Sequence, residues 1–223
     1  FVEGRVLEAK TSLDELVPEL TLRYQPDENV TYFVAYKEGW KSAGFDNGSI
    51  DSTLNANPIA DITYDPETVE GIEAGVKALL LDGTLNVEFD IYKYEYEGLQ
   101  LNFFNSATFA YRTLNADETE SEGFELQIQY LPPSIDGLGL TAAIGYNDAN
   151  YVKFSGPCYA GQKPSEGCTN QVGGLWEQSL NGSKKGLAPE LRYNLGFTYV
   201  SDIGNGLELG LVGNVKYLSL IHI

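Results

Sequence analysis

The chain has 223 residues, with 14 Lys and Arg against 32 Asp and Glu and a formal net charge of −18. Charged residues are only 21% of the total, so the imbalance is one of sign rather than of density. It argues against a nucleic-acid partner, whose backbone must be met with Lys and Arg. A single His, His222, and two Cys leave soft metal ligands and triad chemistry short.

Hydrophobic residues reach 43%, with 15 Tyr and 10 Phe, enough apolar surface to organise a folded chain. Met is absent, so the expectation is a mature product or a fragment of a longer reading frame. Phe1-Val2-Glu3-Gly4-Arg5 lacks the basic start and apolar core of a signal peptide. No apolar run approaches the roughly 20 residues that a transmembrane helix needs.

Period-two alternation dominates and predicts strands near 1–8, 18–24, 30–38, 67–81, 84–100, 118–131, 137–150, 186–200 and 206–218. Leu85, Val87, Phe89 and Ile91 oppose Asn86, Glu88 and Asp90. The phase then slips, and Tyr92, Tyr94 and Tyr96 oppose Lys93, Glu95 and Glu97, which predicts a bulge. Phe124, Leu126, Ile128 and Tyr130 face away from Glu125, Gln127 and Gln129. Leu138, Leu140, Ala142, Ile144 and Tyr146 oppose Gly139, Thr141, Gly145 and Asn147. Leu191 to Tyr199 and Leu207 to Tyr217 repeat the pattern.

Connections alternate between short and long. The short ones, 25–29, 82–83, 132–136 and 201–205, are rich in turn formers. The long ones are 9–17, 39–66, 101–117 and 151–185. Tight turns at one end and long loops at the other are the layout of an all-β, antiparallel, up-and-down transmembrane barrel, here an incomplete portion of about nine strands. Alternation alone leaves a soluble sandwich open. Strand length favours the barrel: about 15 residues at roughly 3.3 Å each exceed both a bilayer crossing and the usual 5–6 residues of a globular strand.

Several segments resemble the C-terminal barrel region of TonB-dependent outer-membrane receptors. Pro66, Glu67, Glu73, Gly75 and Lys77 stand in a stretch similar to that family's P-E-x-x-x-x-x-E-x-G-x-K strand opening. Asn115-Ala116 followed by Gly123-Phe124-Glu125-Leu126 resembles its N-A … G-x-E-L strand. Tyr36 to Phe45 is similar to its S-x-G-(Y/F)-K-x-G-G-F stretch, with Lys37 and Ala43 as departures, and Leu187-Ala188-Pro189-Glu190 resembles a late strand opening. In this order the matches cover most of residues 18–200.

The resemblance implies an outer-membrane receptor of a Gram-negative bacterium, embedded in lipid and taking up a scarce small-molecule chelate, foremost an iron–siderophore complex. Energy would come from the TonB–ExbB–ExbD system through an N-terminal plug region outside this chain. No resident cofactor is implied. A passive porin, a membrane-embedded barrel enzyme and a soluble secreted β-protein are the competing readings. Residues 1–217 then form a partial barrel. Residues 218–223 make a doubtful tail, similar to translated adapter sequence and lacking a closing aromatic residue, so His222 is expected to carry no function.

The motif residues also have plain physical readings. Pro66 and Glu67 open a strand where no ladder donor is required. Gly71 and Gly75 give room on the polar face, and Glu73 and Lys77 suit cross-strand ion pairs. Cys158 and Cys168, without further Cys or His for a metal, are expected to form a disulfide in an oxidising compartment, worth roughly 3 kcal/mol.

Ligand contacts are expected in the long loops, with Trp40, Tyr111, Arg112, Tyr159 and Trp176 as candidates. Loop 151–185 carries Lys153, Lys163, Lys184 and Lys185 against Glu166 and Glu177, a locally basic segment in an acidic protein. No catalytic or metal residue is expected. Paired carboxylates are compatible with a glycosidase by composition, yet they lie on alternating polar faces that strands explain without chemistry.

Overall fold

The computed structural model describes residues 8, 10–46, 62–105, 110–172 and 175–219. Among these residues thirteen strands follow one another: β1 Glu19–Asp27, β2 Val30–Lys41, β3 Gly44–Phe45, β4 Thr63–Tyr64, β5 Glu67–Leu80, β6 Leu85–Asn105, β7 Ala110–Tyr130, β8 Leu138–Lys153, β9 Ser155–Pro157, β10 Asn170–Val172, β11 Leu175–Ser179, β12 Leu191–Gly204 and β13 Leu207–Leu218. The long ones form a single eight-stranded antiparallel sheet in the order β1-β2-β5-β6-β7-β8-β12-β13. Neighbours in sequence are therefore neighbours in space, as in a meander. Among the described residues β1 and β13 stand at the two ends of this order, and the strand expected at 1–8 lies outside the described residues but for Glu8.

Pairing register sorts the side chains into two faces. One cross-strand row reads Leu22, Val34, Ala74, Ile91, Phe124, Tyr146 and Leu191 from β1 to β12. The adjacent row, on the other face, reads Arg23, Phe33, Gly75, Asp90, Glu125, Gly145 and Arg192. The apolar face is not buried: Leu22 is 73% exposed and Ile91 52%. A long contiguous apolar face open to its surroundings is unusual for a protein bathed in water.

No bulge occurs where the phase of β6 slips. Its register with β5 and β7 runs unbroken from Leu85 to Glu97. What changes is the chemistry of the faces. Below the slip the apolar face carries Leu85, Val87, Phe89 and Ile91; above it the same face carries Lys93, Glu95 and Glu97, while Tyr92, Tyr94 and Tyr96 continue the polar face. Two steps beyond the apolar row, Glu38, Glu70, Glu95 and Glu120 stand directly opposite one another across four strands. The irregularity in β6 sits instead at Gly98, which has φ +65 and falls between the pairs Glu97–Glu118 and Leu99–Ala116.

The turns Glu28–Asn29, 81–84, 131–137 and Asn205–Gly206 gather at one end. At the other end the expected long loop 101–117 is mostly strand, because β6 and β7 go on pairing to Asn105 and Ala110. The aromatic residues there continue the ladder, with Phe104 and Tyr111 rings 5.4 Å apart. Segment 154–190 builds a three-stranded sheet, β10-β11-β9, and a 3-10 turn at Pro164–Glu166. The small hydrophobic core lies where this segment meets the extended hairpin: Leu99, Ala116, Tyr151 and Phe154 are buried, with Tyr96, Leu101, Phe103 and Leu180 packed around them.

Candidate functional site

The polar face is organised by glycines beside long side chains. A Cβ on Gly75 would meet the Phe89 backbone carbonyl at 2.5 Å and the Phe33 ring at 2.7 Å, and one on Gly145 would meet Arg192 Nε at 2.7 Å. At Gly71 and Gly123 an added Cβ would strike neighbouring backbone carbonyls as well as Tyr94 and Tyr92. Each glycine lets a residue of the next strand lie across the wall. Tyr92 Oη thereby reaches Asn147 Oδ1 at 3.2 Å, past the intervening β7, and Arg192 reaches Glu125 past β8.

Ion pairs lace the same face. Lys37 Nζ donates to Glu73 at 2.9 Å, and Tyr94 Oη donates to the same oxygen at 3.0 Å. Lys77 bonds Glu88 at 2.8 Å, directly across the ladder. Glu73, Asp90, Glu125, Tyr92, Tyr94 and Arg192, among others, line a concavity of about 650 Å³. Opposite one another in the ladder, Asp90 and Glu125 make this concavity acidic.

The remaining motif residues meet in a knot near the loop end. Asn115 Nδ2 donates to Gly98 O at 2.6 Å and to Asp65 O at 2.9 Å, while Asp65 N donates back to Asn115 Oδ1 at 2.9 Å. Gln100 N donates to Glu67 at 2.9 Å, Lys41 stands 3.7 Å from the same carboxylate, and Pro66 O packs against Gly98. Pro66, Glu67 and Asn115 thus hold the start of β5 to the middle of the β6–β7 hairpin. Spacing in the sequence gave no hint of Gly98 and Gln100 in this role; a glycine inside an alternating run was the available signal.

The five candidate loop residues do not gather. Trp40 lies on β2, opposite Thr68, on the apolar face with Tyr36. Tyr111 and Arg112 lie on β7 near the hairpin tip, opposite Phe104 and Phe103. Tyr159 is 60% exposed and its hydroxyl donates to Glu166 at 3.1 Å. That hydrogen bond, helped by burial, pushes the Tyr159 hydroxyl above the ordinary tyrosine value. Trp176, on β11, is half exposed. No hydrogen bond or ring contact joins any two of the five among the described residues.

Cys158 and Cys168 are disulfide-bonded with Cα atoms 5.8 Å apart, closing the outer part of the 154–190 segment. Lys185 Nζ sits 4.9 Å over the Tyr96 ring, and desolvation holds this ammonium below the usual lysine value. Lys184 bonds Asp148 at 2.6 Å, which raises the lysine above its ordinary value. Among the described residues no cluster of His, Cys, Asp and Glu is arranged to hold a metal ion.

A meander of long strands, apolar on one face and laced with charges on the other, is a section of outer-membrane β-barrel wall. The chain matches the family model described as TonB dependent receptor-like, beta-barrel, over residues 4–220, and it belongs to this family of outer-membrane receptors of Gram-negative bacteria. It is 26% identical over 193 residues to the probable TonB-dependent siderophore receptor PiuA of Acinetobacter baumannii, covering 86% of this chain and 23% of PiuA.

Among solved structures, the fold is similar to the ferric yersiniabactin uptake receptor FyuA from Yersinia pestis, with a TM-score of 0.62 at 13% identity, over 90% of this chain and 25% of that one. BauA, the ferric preacinetobactin receptor of Acinetobacter baumannii, gives 0.58 at 16% identity over 91% and 25%. The alcaligin receptor FauA of Bordetella pertussis gives 0.54 at 15% identity over 91% and 29%. The chain spans about a quarter of the length of these relatives. The family is one of receptors and transporters rather than enzymes.

Proposed function

We propose that this chain is the C-terminal part of the barrel of a receptor that imports an iron–siderophore complex across the outer membrane. The observation that carries this reading is the match, along most of the chain, to a relative named as a probable siderophore receptor. In this reading the apolar face meets lipid, and its lower part presents only apolar side chains. The switch at Ile91–Lys93 marks the edge of the hydrocarbon. From Leu85 to Ile91 is about 20 Å along the strand at roughly 3.3 Å per residue, which is about 15 Å of height at a barrel tilt of roughly 35–45° and covers the larger part of an apolar band about 25 Å tall. The upper hairpin then stands clear of the membrane.

The polar face lines the lumen. Glu73, Glu88 and Glu125 are engaged by Lys37, Lys77 and Arg192, which supports a structural lining rather than a catalytic one. Coupling to TonB, ExbB and ExbD runs through the N-terminal region of the longer protein, and nucleic acid is not a partner of so acidic a chain. The disulfide-closed lobe, with Tyr159 and Trp176 exposed, and the hairpin tip, with Tyr111 and Arg112, offer the contacts for the incoming chelate.

Deletion of the full-length gene tests the reading. The expected result is loss of uptake of one radiolabelled ferric siderophore under iron limitation, restored by the gene and abolished again without TonB. Uptake that persists without TonB would make the protein a passive pore instead.

A further inference from the structure

We infer that the peptide bond between Asp65 and Pro66 is a self-cleavage site, cut by the Asp65 carboxylate while Asn115 and Gln100 hold the carbonyl oxygen. The two residues join β4 to β5 at the loop end of the wall, away from the short turns. The Asp65 carbonyl oxygen accepts from Asn115 Nδ2 at 2.9 Å and from Gln100 Nε2 at 3.0 Å. Two fixed donors at roughly 2.7–3.1 Å are the arrangement that stabilises the oxyanion of a tetrahedral intermediate. Both donors are anchored. Asn115 also bonds Gly98 O and Asp65 N, and Gln100 Nε2 also donates to Ser42 O at 2.9 Å. The reciprocal bonds between Asp65 and Asn115 already tie the start of β5 to the hairpin, so the Gln100 amide adds charge stabilisation at the carbonyl itself.

The nucleophile is local. Asp65 is exposed, and its carboxylate makes no hydrogen bond or ion pair among the described residues. It reaches its own carbonyl carbon by closing a five-membered ring. The other carboxylate of the knot is occupied, since Glu67 accepts from Gln100 N at 2.9 Å and stands 3.7 Å from Lys41. Pro66 supplies the leaving group: its nitrogen belongs to a tertiary amide and gives no hydrogen to the ladder, so its departure breaks no strand bond. In the step, an Asp65 Oδ bonds to the Asp65 carbonyl carbon, and the charge on the carbonyl oxygen rests between Asn115 and Gln100. Collapse breaks the carbon–nitrogen bond, and Pro66 N takes a proton from solvent. Residue 65 is left as a cyclic anhydride, which one water opens to the two carboxyls of a C-terminal aspartate. The wall survives the cut, because β5 is paired along its length with β2 and β6. What changes is the long connection from β2, which is then covalently tied at one end only.

The test holds the full-length protein, folded in detergent, at mildly acidic pH with protease inhibitors and follows its fragments by mass spectrometry. The expected result is a fragment beginning Pro66-Glu67-Thr68-Val69, formed at least ten-fold faster than in the same protein unfolded in urea. Asp65→Ala abolishes it. Gln100→Leu slows it about a hundred-fold, as loss of one oxyanion donor does, with the heat-modifiable mobility of the folded barrel unchanged. If Gln100→Leu misfolds, Asn115→Ala serves with the same expectation. Cleavage no faster in the folded protein than in urea overturns the proposal. So does a rate unchanged in a folded donor variant, and so does a cut that persists in Asp65→Ala, which then belongs to a protease.

Discussion

Arg192 on β12 reaches Glu125 two strands away, and it does so because Gly145, on the strand between them, has no side chain to block it. The pair is partly exposed, so its worth is modest. Gly145→Ala should displace a flexible guanidinium and cost under about 1 kcal/mol. Gly123→Ala is different in kind, because its Cβ would strike the backbone carbonyl of Tyr146 and force two strands apart. The expected cost is about 1–3 kcal/mol, as for overpacking. Urea unfolding of the full-length receptor in lipid vesicles measures both, and equal losses would contradict this account of the wall.

The edge of the lipid-facing band is testable on a single strand. Phe89→Arg, within the apolar stretch of β6, should destabilise the barrel by about 2–4 kcal/mol, the penalty for an arginine near the bilayer midplane. Glu97→Arg shares that face but lies above the switch, and it should change stability by less than about 0.5 kcal/mol. If the two substitutions cost the same, the change of chemistry between Ile91 and Lys93 does not mark the membrane surface.

Removing the disulfide should loosen the lobe and spare the wall. With Cys158→Ser and Cys168→Ser together, the loss is expected to be about 3 kcal/mol from a short closed loop, confined to the 154–185 segment. Limited proteolysis should then cut within this lobe at a much higher rate while β5 to β8 stay intact. Cleavage unaffected by reduction would mean that Phe154 and Leu180, packed on Leu99 and Ala116, hold the lobe without help.

Tyr159 provides a pH test. Its hydroxyl donates to Glu166, and its ionisation is shifted upward chiefly by that bond. A raised folded value means that the protonated tyrosine is favoured in the fold. The contribution is therefore fully present below the unfolded value of about 10 and is lost as pH rises through the higher folded one. Glu166→Gln should bring the ionisation of Tyr159 back down, read as tyrosinate absorbance in difference spectra against a Tyr159→Phe control. An unchanged curve would show that the hydrogen bond is not maintained in solution.

Much of the wall was legible in the residues. Each strand from β5 to β13 that belongs to the main sheet announces itself by alternation, because a sheet with two unlike faces demands period two. The turns were equally plain, since Asp82-Gly83 and Asn205-Gly206 supply residues that tolerate positive φ. Less legible was the β6–β7 hairpin beyond Gln100, where residues 101–117 read as a long loop although backbone pairing simply continues. The phase slip at Tyr92 was visible, but its meaning was not. A bulge and a change of solvent leave the same mark on a sequence, and only the unbroken register distinguishes them.

By itself the sequence determined the alternation, the order of the strands, the turn positions and the sign of the charge, all of which depend on neighbouring residues. The tertiary structure alone decided which distant residues meet: Asn115 with Asp65 and Gly98, Arg192 with Glu125, and Lys185 with Tyr96. Those contacts depend on register between strands far apart in the chain, and on glycines whose effect is to let a third strand's side chain pass. The bulge at 186–189 belongs with them. It exists because pairing on β8 skips only Asp148, between Asn147 and Ala149, while its partner skips four residues between Lys185 and Glu190, a mismatch that no local pattern records.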